Sequence, residues 1–426
     1  MKVGVVGGGL MGLSAAYELA KAGHSVILFE KEAVLGGLAV SIDFAGVRIE
    51  KYYHFVCLPD KTYINLLKEL GLESKLHWRP TRMSYFYNGE MFQWGDPVSL
   101  LTFPHLSPLE KIRYGLNVIY CKLMSNWQKI EHISAVEWLQ GWLGKHSYDI
   151  FWKVLLELKF WHYTDEVSAA WLWSRIRRVA ASRKNLVQEY YGYVEGGTET
   201  VINKLSARIR EKDGEIRLSS PVSAIKIDKG RVEAVIADRQ EFQVEALIST
   251  IPLPELKNID MNLPHEFRQK LERVKNIGVV CALIELQQPL TNNYWLNIND
   301  SRIKLVGVIE YTNLNDSDYL KGKSILYIPQ YVSSADPLYA KSDQEILDEC
   351  LAGLRIINPG LKVISARVFR NKYAQPIPEK NFSKLLPEIQ TPIGNFLIAD
   401  TSYYFPEDRS IDQSLLLGQK LARQVL

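Results

Sequence analysis

Near its start the sequence reads Val3-Gly4-Val5-Val6-Gly7-Gly8-Gly9-Leu10-Met11-Gly12, and the reading of this stretch decides the fold. Val3 to Val6 is a short apolar run of the kind buried on both faces of a parallel sheet. Gly7, Gly9 and Gly12 then fit the spacing G-x-G-x-x-G. Leu13, Ala16, Tyr17 and Ala20 follow on one face of a predicted helix, closed by Gly23 at its C-cap. A second strand, Ser25 to Phe29, ends at Glu30. Each part has a physical task. Gly7 permits the tight turn, Gly9 lets a pyrophosphate approach the backbone, and Gly12 lets helix and sheet pack closely. The free N–H groups of Leu10 and Met11 lie at the positive end of the helix and suit phosphate. Glu30 stands about 20 residues on, where ribose hydroxyls need an acceptor. The glycine spacing alone is weak, but strand before, helix after and acid beyond together predict a dinucleotide site.

The 426 residues are too many for one ordinary core and predict two or three domain-sized units. A 47% hydrophobic and 23% charged composition excludes disordered, collagen-like and coiled-coil classes. Lys+Arg 51 against Asp+Glu 48 leaves a net charge of +3, too near balance for nucleic-acid binding. Cys57, Cys121, Cys281 and Cys350 lie far apart, with no C-x-x-C pair and no zinc-like cluster with His. No metal is expected, and reduced thiols in the cytoplasm are the simplest reading. Glycines interrupt the first apolar run at once, unlike a signal peptide. No later segment offers the ~18 uninterrupted apolar residues of a spanning helix. A soluble protein is expected, at most resting on a membrane surface.

After Glu30 come Lys31-Glu32-Ala33-Val34-Leu35-Gly36-Gly37-Leu38-Ala39 and a hairpin-like stretch, Ser41 to Ile49, turning near Ala45-Gly46. A nicotinamide domain would instead continue strand–helix repeats through about 150 residues. The glycine doublet beyond the acid resembles the second fingerprint of the FAD-dependent amine oxidase and protoporphyrinogen oxidase superfamily. The resemblance implies FAD as cofactor, with Lys31, Gly37, Leu38 and Ala39 beside it. Leu38 stands where the family usually has Arg, so that contact is lost. Near the other end, Gly394-Asn395-Phe396-Leu397-Ile398-Ala399-Asp400 resembles the segment whose Asp reaches the ribityl-phosphate region. A terminal helix opening at Ile411, with Ser410 to Gln413 as a capping box, resembles the one whose N-terminus faces the flavin's pyrimidine edge. Between the ends, Tyr191 to Thr200 resembles the family's return to the FAD domain, and Val222 stands where a backbone group holds adenine.

The resemblance covers nearly the whole chain. It implies a Rossmann-type α/β FAD-binding domain interleaved with a substrate domain of mixed β-sheet and helical cap. Residues 1–75, 191–258 and 386–426 are assigned to the FAD domain, 76–190 to the helical cap and 259–385 to the sheet. Nine of the ten tryptophans fall between Trp78 and Trp173, and the favoured reading is that most fill a small helical core. Helices are predicted over 109–130, 135–143 and 148–158, with Lys111, Arg113 and Lys122 on a face that a solvated surface explains as well as a lipid one. Residues 274–286, 304–312, 323–331 and 362–371 read as strands of a mixed or antiparallel sheet.

Two residues are candidates for chemistry. His54 matches in place a histidine that lies against the flavin in the UDP-galactopyranose mutase branch, and it titrates near neutrality. Arg409 could offset the neighbouring acids Glu407 and Asp408, which read as capping or solvated groups, or hold an anionic substrate. Tyr52-Tyr53 replaces the small residues many relatives carry beside the ring. The expected function is hydride transfer from a bulky, partly apolar small molecule of porphyrinogen, isoprenoid or amine type to flavin N5. The alternative is a nucleotide-sugar mutase without net redox change, binding its anion through Arg175, Arg177, Arg178 or Arg409.

Overall fold

Short, mostly apolar runs make the first sheet, and Val5, Leu28, Ile248 and Leu397 are buried in four of its strands. In the computed structural model, which describes residues 1–183, 188–315 and 318–425, Lys2–Val6 is its middle strand. Ser25–Phe29 and Glu215–Arg217 lie in turn on one side, Ala246–Ser249 and Phe396–Ile398 on the other, all parallel. Numbered along the chain, the order is 3-2-1-4-5. That order reverses direction between Lys2–Val6 and Ala246–Ser249, and ligands of such sheets bind in the crevice beyond the carboxyl ends there. The sheet thus takes strands from segments nearly 400 positions apart.

The first helix, Leu10–Lys21, and the last, Ile411–Val425, cross over this sheet. They meet at close range because Gly418 has no side chain: a Cβ there would come within 2.3 Å of the Met11 carbonyl. Ser14 Oγ donates to the Leu415 carbonyl at 2.8 Å across the same contact. Both helix N-termini therefore open on one crevice.

A mixed seven-stranded sheet forms the second layer, ordered 363–376, 276–286, 324–332, 307–310, 295–299, 83–87, 90–94. The four strands read from sequence are present. The missed pair, Met83–Tyr87 and Glu90–Trp94, corrects the purely helical reading of 76–190: that stretch opens with strands, Leu76–Thr81 included. The signal was there, because Asn88-Gly89 sits in the left-handed region at both positions, the favoured two-residue hairpin turn. The helix expected over 109–130 ends at Leu123, where Met124 turns extended. The one expected over 148–158 is present within a helical stretch from Lys145 to Phe160, whose middle, Asp149–Lys153, widens into a π-helical turn. Positions 184–187, 316–317 and 426, which fall inside the assigned domain segments, lie outside the described residues.

Trp171 and Trp173 are buried in the core between this sheet and the helices. The hairpin Ser41–Phe44/Val47–Glu50 turns at Ala45-Gly46 as read. Its last residue, Glu50, accepts the backbone N–H of Thr198 at 2.8 Å, capping the helix Thr198–Arg210, whose own N-cap is a glycine. One cavity of about 1450 Å³ runs between the two layers. Among the described residues no helix is long and apolar enough to cross a membrane.

Candidate active site

Gly7 carries the chain out of the sheet with φ +107°, a conformation that requires glycine. Gly12 sits directly behind it, where a Cβ would lie 1.9 Å from the Gly7 carbonyl oxygen. Gly9, by contrast, faces the cavity, and a Cβ there would meet nothing within 4 Å. The helix that follows has no side-chain cap, so the N–H groups of its first turn point at the cavity without one. The second glycine segment stacks on the first: Gly36 donates its N–H to the Gly8 carbonyl at 2.9 Å, and Gly37 lies against the Gly9 backbone.

Glu30 is held in place by main chain. Its two carboxylate oxygens accept N–H groups of Gly8 at 2.6 Å and Glu32 at 2.9 Å, and the carboxylate borders the cavity. Asp400 is fixed the same way, accepting from Leu253 and Ser402, each at 2.8 Å. Burial raises its pKa above the ordinary carboxylate range, against the pull of those N–H groups. Its bonds tie the end of Phe396–Ile398 to the loop after Ala246–Ser249, so distant segments close one wall.

Of the residues singled out from sequence as cofactor contacts, Gly7, Gly9, Leu10, Met11, Glu30, Lys31, Gly37, Leu38, Ala39, Val222, Asp400 and Ile411 all border this single cavity. Gly12 lies behind it, in the packing position read for it. Lys31 is at the rim, with 61% of its side chain exposed and Glu255 at 3.8 Å. Only half of the expected capping box appears: Ser410 Oγ accepts the Gln413 N–H at 3.1 Å. Thr250 joins the wall and donates to the Val6 carbonyl at 3.1 Å.

The far end of the cavity is made of side chains. Asp408 accepts from Arg175 at 2.8 Å, and only 13% of its side chain is exposed. This corrects its reading as a capping or solvated acid: the surrounding cations bury and pair it. Despite burial, Lys159, Arg175 and Arg409 hold its pKa well below the ordinary range. Arg409 donates to the Ala374 carbonyl at 2.7 Å and to the Tyr331 hydroxyl. Lys159, 4% exposed, stands 4.7 Å from the centre of the Trp171 ring and 5.0 Å from that of Tyr331. Burial lowers its pKa well below the usual lysine value, and Arg175 and Arg409 add to this against Asp408. The sequence reading missed Lys159, although it sits on the apolar face of its helix, three residues beyond the fully buried Leu156.

His54 borders the cavity near Arg409, and its buried Nδ1 has no partner. Burial lowers its pKa below 6.5, with Arg409 acting in the same direction and Glu50 against it. Tyr53 packs edge-on to Trp295 at 5.7 Å, making an aromatic wall beside it. Of the arginines assigned to an anion in the alternative reading, Arg175 is paired with Asp408, and Arg178 with Asp60 at 2.9 Å. Arg177 stacks on Trp173 at 5.1 Å.

An open glycine face, a bare helix start, a partnerless buried ring nitrogen and one continuous cavity fit FAD. The comparisons agree with this. Residues 10–425 match the model of the flavin containing amine oxidoreductase family. The chain belongs to that family, and FAD is its cofactor. It is 25% identical over 396 residues to a 15-cis-phytoene desaturase of Solanum lycopersicum, covering 84% of this chain and 65% of that protein. The chain thus spans just under two thirds of that relative's length. An oxidoreductase from Methanosarcina mazei shares its fold at a TM-score of 0.77 and 19% identity, over 99% of this chain and 100% of that one. A reduced UDP-galactopyranose mutase does so at 0.75 and 16%, over 100% and 95%.

Proposed function

We propose that the protein oxidises a bulky, largely apolar substrate of isoprenoid or porphyrinogen type. Bound FAD supplies the hydride acceptor, at N5 of its ring. In this reading residues 1–75, 191–258 and 386–426 hold the cofactor, and 76–190 and 259–385 build the substrate chamber. Leu10, Met11 and the backbone at Gly7 and Gly9 would hold the pyrophosphate, with Gly12 keeping the helix close. Glu30 would take ribose hydroxyls, and Lys31, Gly37, Leu38 and Ala39 would flank them. Val222 would meet adenine, while Asp400 and Ile411 would serve the flavin half. His54 offers an uncharged ring nitrogen, and Arg409 a fixed positive charge, to whatever fills the chamber.

The observation that carries the reading is the continuity of the cavity from the glycine cradle to the aromatic chamber. Its volume exceeds the ~300–1,000 Å³ of an ordinary single-ligand pocket, leaving room for a second molecule. The chamber's charge favours an apolar substrate over an amine. Two guanidinium groups face one carboxylate there, and the burial and field that pull Lys159 down would equally disfavour a protonated substrate amine. Likeness to a phytoene desaturase points the same way.

The test is anaerobic. The purified yellow protein is mixed with 15-cis-phytoene, with a porphyrinogen or with an amine, and flavin absorbance is followed. Bleaching by either of the first two is expected. Bleaching by the amine alone, or turnover only after chemical reduction and only of a sugar nucleotide, would replace this reading. Substituting His54 by Phe should change the flavin spectrum or the bleaching rate, and no change in either would remove His54 from the chemistry.

A further inference from the structure

Seven of the twelve exposed large apolar side chains among the described residues fall between positions 98 and 123. Leu109, Ile112, Leu116, Ile119 and Leu123 recur three and four residues apart on the helix Pro108–Leu123, forming one stripe with exposures of 52% to 79%. Val98 and Leu101, on the short helix Pro97–Thr102, are 55% and 65% exposed and widen the stripe. The helix is not loose. Ser107 and Glu110 make a full capping box, and Asn117 and Cys121 are buried on its inner face. Tyr114 packs on Phe151 at 5.5 Å. Its sequence thus supplies an apolar face on the outside as well, and a continuous exposed patch of that kind marks an interaction surface.

We infer that this face lies on an anionic lipid surface and sets the mouth of the cavity against it. The helix is about 24 Å long and carries Glu110, Lys111, Arg113 and Lys122, so it suits the plane of an interface and not a crossing. Its charge is complementary to anionic headgroups. Lys111 donates to the Leu101 carbonyl, which brings its ammonium between the two helices, and Lys122 and Lys129 are exposed beyond. The acid on this helix, Glu110, is already engaged by Ser107 and His146.

The cavity selects lipid over a second copy of the chain. Ile119 and Lys122 are exposed and also line the cavity, so the cavity reaches the surface at this face, with Leu100 and Gly115 beside it. A partner helix seated along the stripe, as the three–four spacing would allow, would cover that opening. A lipid surface leaves it facing an apolar medium. The docking does not rest on the substrate reading, since it concerns the outer face alone.

The experiment is co-sedimentation of the FAD-loaded protein with vesicles of phosphatidylcholine and phosphatidylglycerol, and with vesicles of phosphatidylcholine alone. The protein should pellet with the mixed vesicles, and less with the neutral ones or at high salt. Leu116→Glu combined with Leu123→Glu should weaken pelleting about tenfold or more with flavin absorbance unchanged. As a second variant, Leu123→Cys carries the only exposed thiol among the described residues, the four native ones being buried. An environment-sensitive dye there should shift to shorter wavelength on mixed vesicles. Wild-type protein left in the supernatant by both vesicle types would overturn the inference. So would a dye that does not shift, or a dimer that the glutamates split without any vesicle binding.

Discussion

At the glycine-rich end of the cavity, the groups lining the wall are main-chain N–H groups and two carboxylates, Glu30 and Asp400, that other main-chain N–H groups hold in place. At the chamber end they are the side chains of Lys159, Arg175, Asp408 and Arg409, from two cap helices and the loop before the terminal helix. Backbone recognition demands glycine at fixed spacing, so it writes a pattern into contiguous sequence. Side-chain recognition needs only that the right groups converge, and convergence leaves no local mark. The same contrast predicts different failures. Damage to the first end acts through geometry, damage to the second through charge.

The sharpest break in that comparison is a pair of alanines three residues apart. Gly12→Ala places a methyl against the Gly7 carbonyl and should destabilise the fold by about 3 kcal/mol or more, with loss of bound flavin. Gly9→Ala meets open space at φ −71° and should leave thermal stability within about 0.5 kcal/mol. Its FAD affinity should still fall about tenfold or more, read by flavin fluorescence titration. Equal losses of stability in both variants would erase the division of labour between the glycines.

At the charged end, Asp408→Asn leaves Arg175 and its neighbours without their carboxylate. A loss of about 3 kcal/mol is expected in denaturant unfolding, the low end for a broken buried pair because Arg175 keeps 24% of its side chain exposed. Next in size, Glu30→Ala should lower FAD affinity by about 10- to 100-fold, the worth of a charged hydrogen bond, while the chamber stays intact. Retention of flavin equal to wild type would remove Glu30 from the ribose contact.

The smallest expected effect has the opposite sign. Lys159 has its folded pKa below the unfolded value of 10.5, so the unfolded chain binds the extra proton between those two values. Stability therefore rises with pH across that window, and the penalty is fully present below it. Lys159→Met should raise the melting temperature at neutral pH, by roughly 1 kcal/mol in stability, and flatten the rise toward pH 10.5. A lower melting temperature at neutral pH would show that the ammonium is stabilised in the chamber.

Much of the dinucleotide end was legible because every element there is local. The turn at Gly7, the packing at Gly12 and the acid at Glu30 each follow from a run of a few residues. Asp400 was singled out only through a family resemblance of its segment, and it borders the same cavity. The Asn88-Gly89 hairpin carried an equally plain signal and was passed over, because the helices and tryptophans around it dominate the composition. Asp408 misled for a different reason. A Pro-Glu-Asp-Arg run before a helix looks like a solvated cap, and only Arg175, 233 positions away, makes it a buried ion pair.

The sequence by itself determined a parallel sheet with a glycine-lined helix start, an acid beyond it and a matching segment near its end, because backbone geometry restricts which residues can stand there. The tertiary structure alone decided that Lys159, Arg175 and Asp408 share one chamber and that an apolar helix face borders its mouth. Those depend on which side chains long-range packing brings together, and Coulomb forces, desolvation and exposure act on that proximity whatever the distance along the chain.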